Sequence, residues 1–163
     1  KSELNGRYVD TTKDNFINCL DISCFSLTSL IKSFEPIINK GGSILTLTFY
    51  GSNKVIPNYN LMGVAKAALE TSVKYLSVDL GVKDVRVNAI SAGPMRTIAG
   101  AAINNAREVF KFTEENSALK RNAQLDEIGK SALYLVSDLS SAITGEVHYV
   151  DCGYNIIGMP KKF

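Results

Sequence analysis

Tyr59 and Lys66 stand seven residues apart, at the start of a proline-free stretch from Asn60 to Leu80 that suits a long helix. Seven helical positions are nearly two turns, roughly 10 Å of rise, so both side chains can face one side. A helical lysine leans back toward the N-terminus, which brings its ammonium nearer the phenol. A tyrosine ordinarily titrates near ~10. A neighbouring cation favours the phenolate and makes the hydroxyl a better acid. Such a hydroxyl can give a hydrogen bond, or a proton, to an oxygen that becomes negative during a reaction. The same spacing also arises by chance on helix faces, so by itself it leaves the function open.

The other chemistry-bearing residues read more plainly. The cysteines are Cys19, Cys24 and Cys152, and the one histidine is His148. An odd number of cysteines without tight spacing argues against a disulfide framework and for a reducing compartment, here the cytoplasm. No C-x-x-C pair accompanies the histidine, so no metal site is expected. Cys19 and Cys24 lie in an apolar helical stretch and read as small core residues. Phe16, Phe25 and Phe34 fit core packing, Cys152 follows a strand with no base in sight, and His148 reads as structural or interface-facing. The net charge is +2, with basic and acidic residues interspersed, which gives no footprint for nucleic acid. No apolar run approaches the roughly 20 residues of a membrane span. The first ten residues are mostly polar and do not read as a signal peptide.

The elements that must position Tyr59 and Lys66 alternate. The 163 residues fit one domain. Apolar residues at spacings of one to four predict a mostly buried helix over Asn15 to Phe34, ended near Pro36. Ser43 to Tyr50 reads as a buried strand. The long helix from Asn60 carries a flank of small residues, Gly63, Ala65, Ala67 and Ala68, where another backbone can come close. Val85 to Ile90 is a second strand, broken by Ser91-Ala92-Gly93-Pro94. Weak helical patches follow over Met95 to Asn122. Asp126 to Ser137 reads as a helix with Leu125, Ile128, Ala132, Leu133 and Leu135 as its apolar stripe. Gly145 to Val150 is the last strand. This order implies an α/β fold, a Rossmann-type parallel sheet with helices on both faces. The chain supplies about one half of such a sheet and contains neither a G-x-G-x-x-G turn nor a P-loop.

Three segments carry a resemblance. Phe49-Tyr50-Gly51 with Ile56 to Glu70, Val85 to Thr97, and Ser137 to Val147 closely resemble the active-site half of bacterial enoyl-acyl-carrier-protein reductases, a divergent branch of the short-chain dehydrogenases. The branch is marked by its seven-residue Tyr-to-Lys spacing, where ordinary members have four. The resemblance implies reduction of a trans-2-enoyl chain on acyl carrier protein with NADH, the last step of each fatty-acid elongation cycle. It implies that Tyr59 hydrogen-bonds the thioester oxygen and that Lys66 holds the nicotinamide ribose. It also implies that Met95, Arg96, Thr97, Ile98 and Ala99 line the nicotinamide end of the cofactor. The stretch from Thr97 to about Phe112 is similar to the family's substrate-binding lid. A homotetramer is implied as well.

Two departures qualify that picture. Phe49 stands where the family commonly has a second active-site tyrosine, with Tyr50 beside it. Neighbours in a strand point to opposite faces, so Tyr50 replaces the missing hydroxyl only if a bulge re-aims it. The second departure is extent. The chain begins Lys1-Ser2-Glu3-Leu4, and the expectation is that residues 1–163 are the C-terminal catalytic part of a single Rossmann-fold domain whose dinucleotide-binding half lies outside them. On that reading the chain alone is inactive. A catalytically silent scaffold, or another short-chain reductase acting on carbonyls, are the competing readings.

Overall fold

The computed structural model describes residues 6–95, 97 and 106–159. Three strands form one parallel sheet in the order β1-β2-β3: β1 (Ser43–Thr48), β2 (Arg86–Ala92) and β3 (Val147–Val150). Ser43 pairs with Arg86 and Thr48 with Ser91 across the first ladder, and Ala89 pairs with Val147 across the second. Parallel neighbours need crossovers. Helix α3 (Asn60–Gly81) makes the first, and α4 (Ala106–Asn116) and α5 (Leu125–Val136) lie in the second. Upstream of β1 run α1 (Lys13–Leu20), a π-helical turn (Asp21–Phe25) and α2 (Ser26–Phe34).

β2 is central and buried on both faces, as its near-continuous apolar run requires. Val87 and Ala89 point to a core shared with Val73, Leu76 and Leu80 of α3 and Ile31 of α2. Ile90 and Ala92 point the other way, to Ile128 and Leu135 of α5. Helices therefore cover both faces, and the expected fold class holds. α3 buries Leu61, Ala65, Leu69, Val73, Leu76 and Leu80, a stripe at steps of three and four whose Leu and Val members each contribute roughly 1.5–3 kcal/mol.

Polar groups lock the third strand. Arg86 donates to the carbonyls of Leu135 and Ser137, at 2.8 and 3.1 Å, beside the C-terminus of α5. There a cation both satisfies orphan carbonyls and opposes the helix dipole. Asn88, fully buried, donates to Ile143 O and accepts from the Glu146 amide.

Several expectations need correction. The helix over Asn15 to Phe34 is present, but it is not mostly buried: Ile31 is its buried residue, while Ile17, Ile22, Phe25, Leu30 and Phe34 are exposed. It packs mainly on α3, and a helix covered along one side buries one stripe only. Phe25 and Phe34 are accordingly not core. In α5, Ile128 and Leu135 are buried, whereas Leu125 and Leu133 face outward, 62% and 67% exposed, because only one face of this helix meets the sheet. β1 is half-buried rather than buried, with Leu47 52% exposed at the edge of the described sheet. It stops at Thr48, where the chain turns into a 3-10 helix, Tyr50–Ser52. β2 runs on through Ser91 and Ala92, which still pair with β3.

Candidate active site

The carboxyl ends of β1 and β2, where open α/β sheets bind ligands, frame a cleft of about 390 Å³. Phe49 and Tyr50 line it from the end of β1, Gly93 and Pro94 from the end of β2, and Val109 and Phe112 from α4. Asp151, 4% exposed, is also on its wall, with its carboxylate already accepting from Gly153 N and from Asn155 N and Nδ2. Gly93 lets the chain pass close to Asp151, since a β-carbon there would stand 3.1 Å from Asp151 Cα.

Tyr59 sits immediately before α3, in the N-cap position. The turn that presents it, Pro57-Asn58-Tyr59-Asn60, has two left-handed residues, Asn58 (φ 59°) and Asn60 (φ 32°). Asparagine is among the few side chains that tolerate this region. The Tyr59 ring is buried, 7% exposed. It meets the ring of Phe49 edge-on at 5.1 Å between centroids. On its other side it lies on Gly51, where a β-carbon would come within 2.7 Å of the Tyr59 Cε1. Gly63 in turn lets the Gly51 carbonyl approach, since a β-carbon there would stand 2.6 Å from that oxygen. The small flank of α3 thus receives another backbone, as its composition suggested. Tyr59 itself faces a second cleft of about 450 Å³, shared with Gly63, Val64 and Ala67. Phe49 is the wall between Tyr59 and the first cleft.

Burial pushes the Tyr59 phenol well above its ordinary range, and the nearby Cys19 and Glu70 add to this. The expected phenol, made more acidic by its lysine, is not what forms. Burial penalises the phenolate, and the Lys66 ammonium is spent elsewhere, donating to Leu47 O at 2.9 Å. Tyr59 is an uncharged hydrogen-bond donor. Burial lowers the Lys66 ammonium from its usual value, opposed by Glu70, Cys19 and Cys24.

Lys66 and Glu70, one helical turn apart, share a face. Glu70 Oε1 accepts from Thr48 Oγ1 at 2.7 Å and from Ser52 Oγ at 2.5 Å. Its Oε2 accepts from Asn53 Nδ2 at 3.4 Å, and Asn53 also donates to Tyr149 Oη at 3.0 Å.

Tyr50 does not point away from the cleft. With β1 ended at Thr48, strand alternation no longer applies, and both Phe49 and Tyr50 reach the same cleft. The Tyr50 hydroxyl donates to Asn155 O at 3.1 Å, and its ring meets Tyr149 and Tyr154 edge-on. It is therefore a fixed wall rather than a replacement for the hydroxyl that Phe49 lacks. Of the expected cofactor segment, Met95 packs against the Ile90–Leu135 core and the Thr97 amide donates to Met95 O. Arg96, Ile98 and Ala99 lie outside the described residues, as does the lid stretch between Thr97 and Ala106. Sequence reading missed Gly51, Glu70 and the proximity of Cys19, which is half-buried and acts electrostatically on both Tyr59 and Lys66. His148 Nδ1 lies 3.2 Å from Glu146 Oε1. Among the described residues no group of three or more His, Cys, Asp or Glu side chains is placed to hold a metal ion.

The geometry has close counterparts. A family model described as enoyl-(acyl carrier protein) reductase matches residues 1–155. An enoyl-[acyl-carrier-protein] reductase [NADH] FabI from Rickettsia typhi is 59% identical over 99% of this chain and 62% of its own length. An enoyl-[acyl-carrier-protein] reductase [NADH] from Rhizobium meliloti is 57% identical over 98% and 58%. The crystal structure of FabI from Candidatus Liberibacter asiaticus superposes with a TM-score of 0.95 at 53% identity, covering 99% of this chain and 62% of that one. The reductase from Anaplasma phagocytophilum, solved in complex with NAD, gives 0.92 at 52% identity, covering 99% and 59%. The chain thus spans about three fifths of the length of these relatives.

Proposed function

We propose, from the premise that this chain belongs to the enoyl-(acyl carrier protein) reductase family, that the protein containing it reduces trans-2-enoyl thioesters of acyl carrier protein with NADH. The observation that carries this reading is the buried, uncharged Tyr59 at the start of α3, with the half-buried Lys66 seven residues on along the same helix, near the carboxyl end of β1.

NADH, when bound, supplies the hydride that goes to C3 of the enoyl chain. The described residues fit one end of that cofactor: Gly93 and Pro94 leave room above β2, and Lys66, which uses one ammonium donor on Leu47 O, has others for ribose hydroxyls. Met95, Arg96, Thr97, Ile98 and Ala99 are proposed to line the nicotinamide. Tyr59 gives a hydrogen bond to the thioester oxygen as it takes on enolate charge, a stabilisation stronger in the transition state than in the ground state. Phe49 and Tyr50 exclude water from the acyl chain. Residues 1–163 act as the C-terminal catalytic part of a longer dinucleotide-binding domain, consistent with the share of each relative that they cover.

Acyl carrier protein is the proposed partner. Self-association is also proposed, the tetramer on the family resemblance; the exposed Ile17, Ile22, Phe25, Leu30 and Phe34, with Tyr75 and Val78 on α3, are apolar side chains available to an interface. Among the described residues Cys19, Cys24 and Cys152 form no disulfide, which supports a reducing compartment, the cytoplasm. Among the described residues no helix is long and apolar enough to cross a membrane.

The test is NADH oxidation by the parent protein with a crotonyl thioester, with and without Tyr59→Phe. Turnover that falls on the order of 10²-fold in the variant, with folding unchanged, is the expected result. Absence of turnover in the unaltered protein, or undiminished turnover in the variant, removes the reading.

A further inference from the structure

The Thr48–Asn53 segment does three things at once. It ends β1, supplies Phe49 and Tyr50 to the cleft, and supplies Gly51 as the seat of the Tyr59 ring. Its own backbone holds it by short turns, Ser52 N to Phe49 O at 3.0 Å and Asn53 N to Tyr50 O at 3.0 Å. Such turns fix the shape of the segment but not its distance from α3. The side chains that cross to α3 are Thr48, Ser52 and Asn53, and all three end on one carboxylate, that of Glu70. Thr48 and Ser52 grip the same oxygen from either end of the Phe49-Tyr50-Gly51 tripeptide. The far side is tied as well, through Asn53 to the Tyr149 hydroxyl on β3. One turn earlier on α3, Lys66 holds Leu47 O, the residue before Thr48.

Resting on the function proposed above, we propose that Glu70 is a positioning residue of the active site. Its carboxylate clasps the two hydroxyls that flank Phe49-Tyr50-Gly51, and so sets where the Tyr59 ring sits relative to the substrate cleft. Glu70 touches neither cleft and takes no part in the chemical step. It acts through Gly51 on Tyr59, and a small misplacement of a donor is enough to cost much of its effect. Two hydroxyl donors, each 2.7 Å or closer to one carboxylate oxygen, are the strong, charge-assisted kind of hydrogen bond. A surface glutamate pairing with the lysine one turn away would need neither.

The experiment compares Glu70→Gln and Glu70→Ala in the full-length parent protein. Glutamine keeps an oxygen for Thr48 and Ser52; alanine keeps none. Glu70→Ala is expected to lower kcat with a crotonyl thioester on the order of 10-fold or more, with a smaller change in KM for NADH, while Glu70→Gln recovers most of the loss. Amide hydrogen exchange across residues 48–53 is expected to speed up in the alanine variant, relative to β2, and not in the glutamine variant. Normal kcat in Glu70→Ala, with a lowered Tm only, would make the clasp merely structural and overturn the proposal. Equal impairment of both variants overturns it too, since charge rather than the clasp would then matter. If the unaltered parent does not turn the thioester over, the functional reading fails, and exchange alone decides. Faster exchange in alanine than in glutamine supports the clasp, and equal exchange refutes it.

Discussion

The Tyr59 ring rests on the backbone of Gly51, so closely that a β-carbon at Gly51 would stand within 2.7 Å of Cε1 of the ring. Real side chains do not tolerate this approach. Gly51→Ala therefore forces the Tyr59 ring or the 3-10 turn to shift. Overpacking of this kind typically costs about 1–3 kcal/mol. In the parent protein the expected result is a lowered Tm together with a fall in enoyl reduction larger than that of Gly81→Ala, a helix glycine whose added methyl meets nothing within 4 Å. Equal behaviour of the two variants in a thermal melt and a turnover assay would show that the seat is not where the ring sits.

Lys66 yields a pH prediction. Burial lowers its pKa, while Glu70 on α3, Cys19 on α1 and Cys24 on the π-helical turn oppose the drop; its ammonium meets Leu47 O of β1. The cationic form is present below the lowered value and is lost as pH rises through it. Affinity for NADH is therefore expected to weaken on an alkaline limb that begins below the ordinary lysine range of about 10.4. In Lys66→Met the affinity is weak throughout and that limb disappears. Calorimetric titration of the parent across pH measures both. An alkaline limb that survives the substitution assigns it to another group and takes Lys66 out of the cofactor site.

The tyrosine–lysine pair was legible because it needs only residue type, a seven-residue spacing and a proline-free helix. Its environment was not. Glu70 stands four residues after Lys66, and nothing in that spacing points to a partner outside the helix. Only the approach of Thr48 and Ser52, some twenty residues earlier in the chain, turns it into a clasp. Burial was misread for the same reason. Ile17, Phe25 and Leu133 belong to apolar patterns that fix a helix but not which side is covered, and the covering layer is set by tertiary packing. Tyr50 was placed opposite Phe49 by strand alternation, yet the strand ends at Thr48, two residues before Tyr50, and alternation does not reach it. The strands themselves were read well, since β-rich apolar runs bounded by Gly and Pro leave little alternative.

Phe49 packs its ring on Tyr59 edge-on and lines the cleft at the carboxyl ends of β1 and β2. Phe49→Tyr adds one hydroxyl to a half-buried ring that already borders open space. The parent protein is expected to keep its Tm within a few degrees, the scale of a change below about 1 kcal/mol. It is expected to keep its activity or raise it several-fold, because a further hydroxyl would then border that cleft. Thermal melting and steady-state turnover decide this. A Tm loss of more than that scale would mean that the ring is enclosed on all sides, contrary to the cleft described.

Residues 1–163 taken by themselves are expected to bind NADH poorly and to show negligible enoyl reduction, although Tyr59 and Lys66 are both present. Positioning supplies much of an enzyme's rate advantage, and the chain has no glycine-rich G-x-G-x-x-G turn to anchor a pyrophosphate. The contacts proposed for it reach only the nicotinamide ribose, through Lys66 and the segment around Met95. β1 is the edge of the described sheet, with Leu47 52% exposed, and an apolar edge strand is a template for association with another chain. The isolated chain should consequently self-associate in a concentration-dependent way, visible by light scattering. Adding the complementary part of a close relative should suppress this and restore binding. Micromolar NADH affinity together with turnover by a monodisperse 163-residue chain would show that these residues form a complete enzyme.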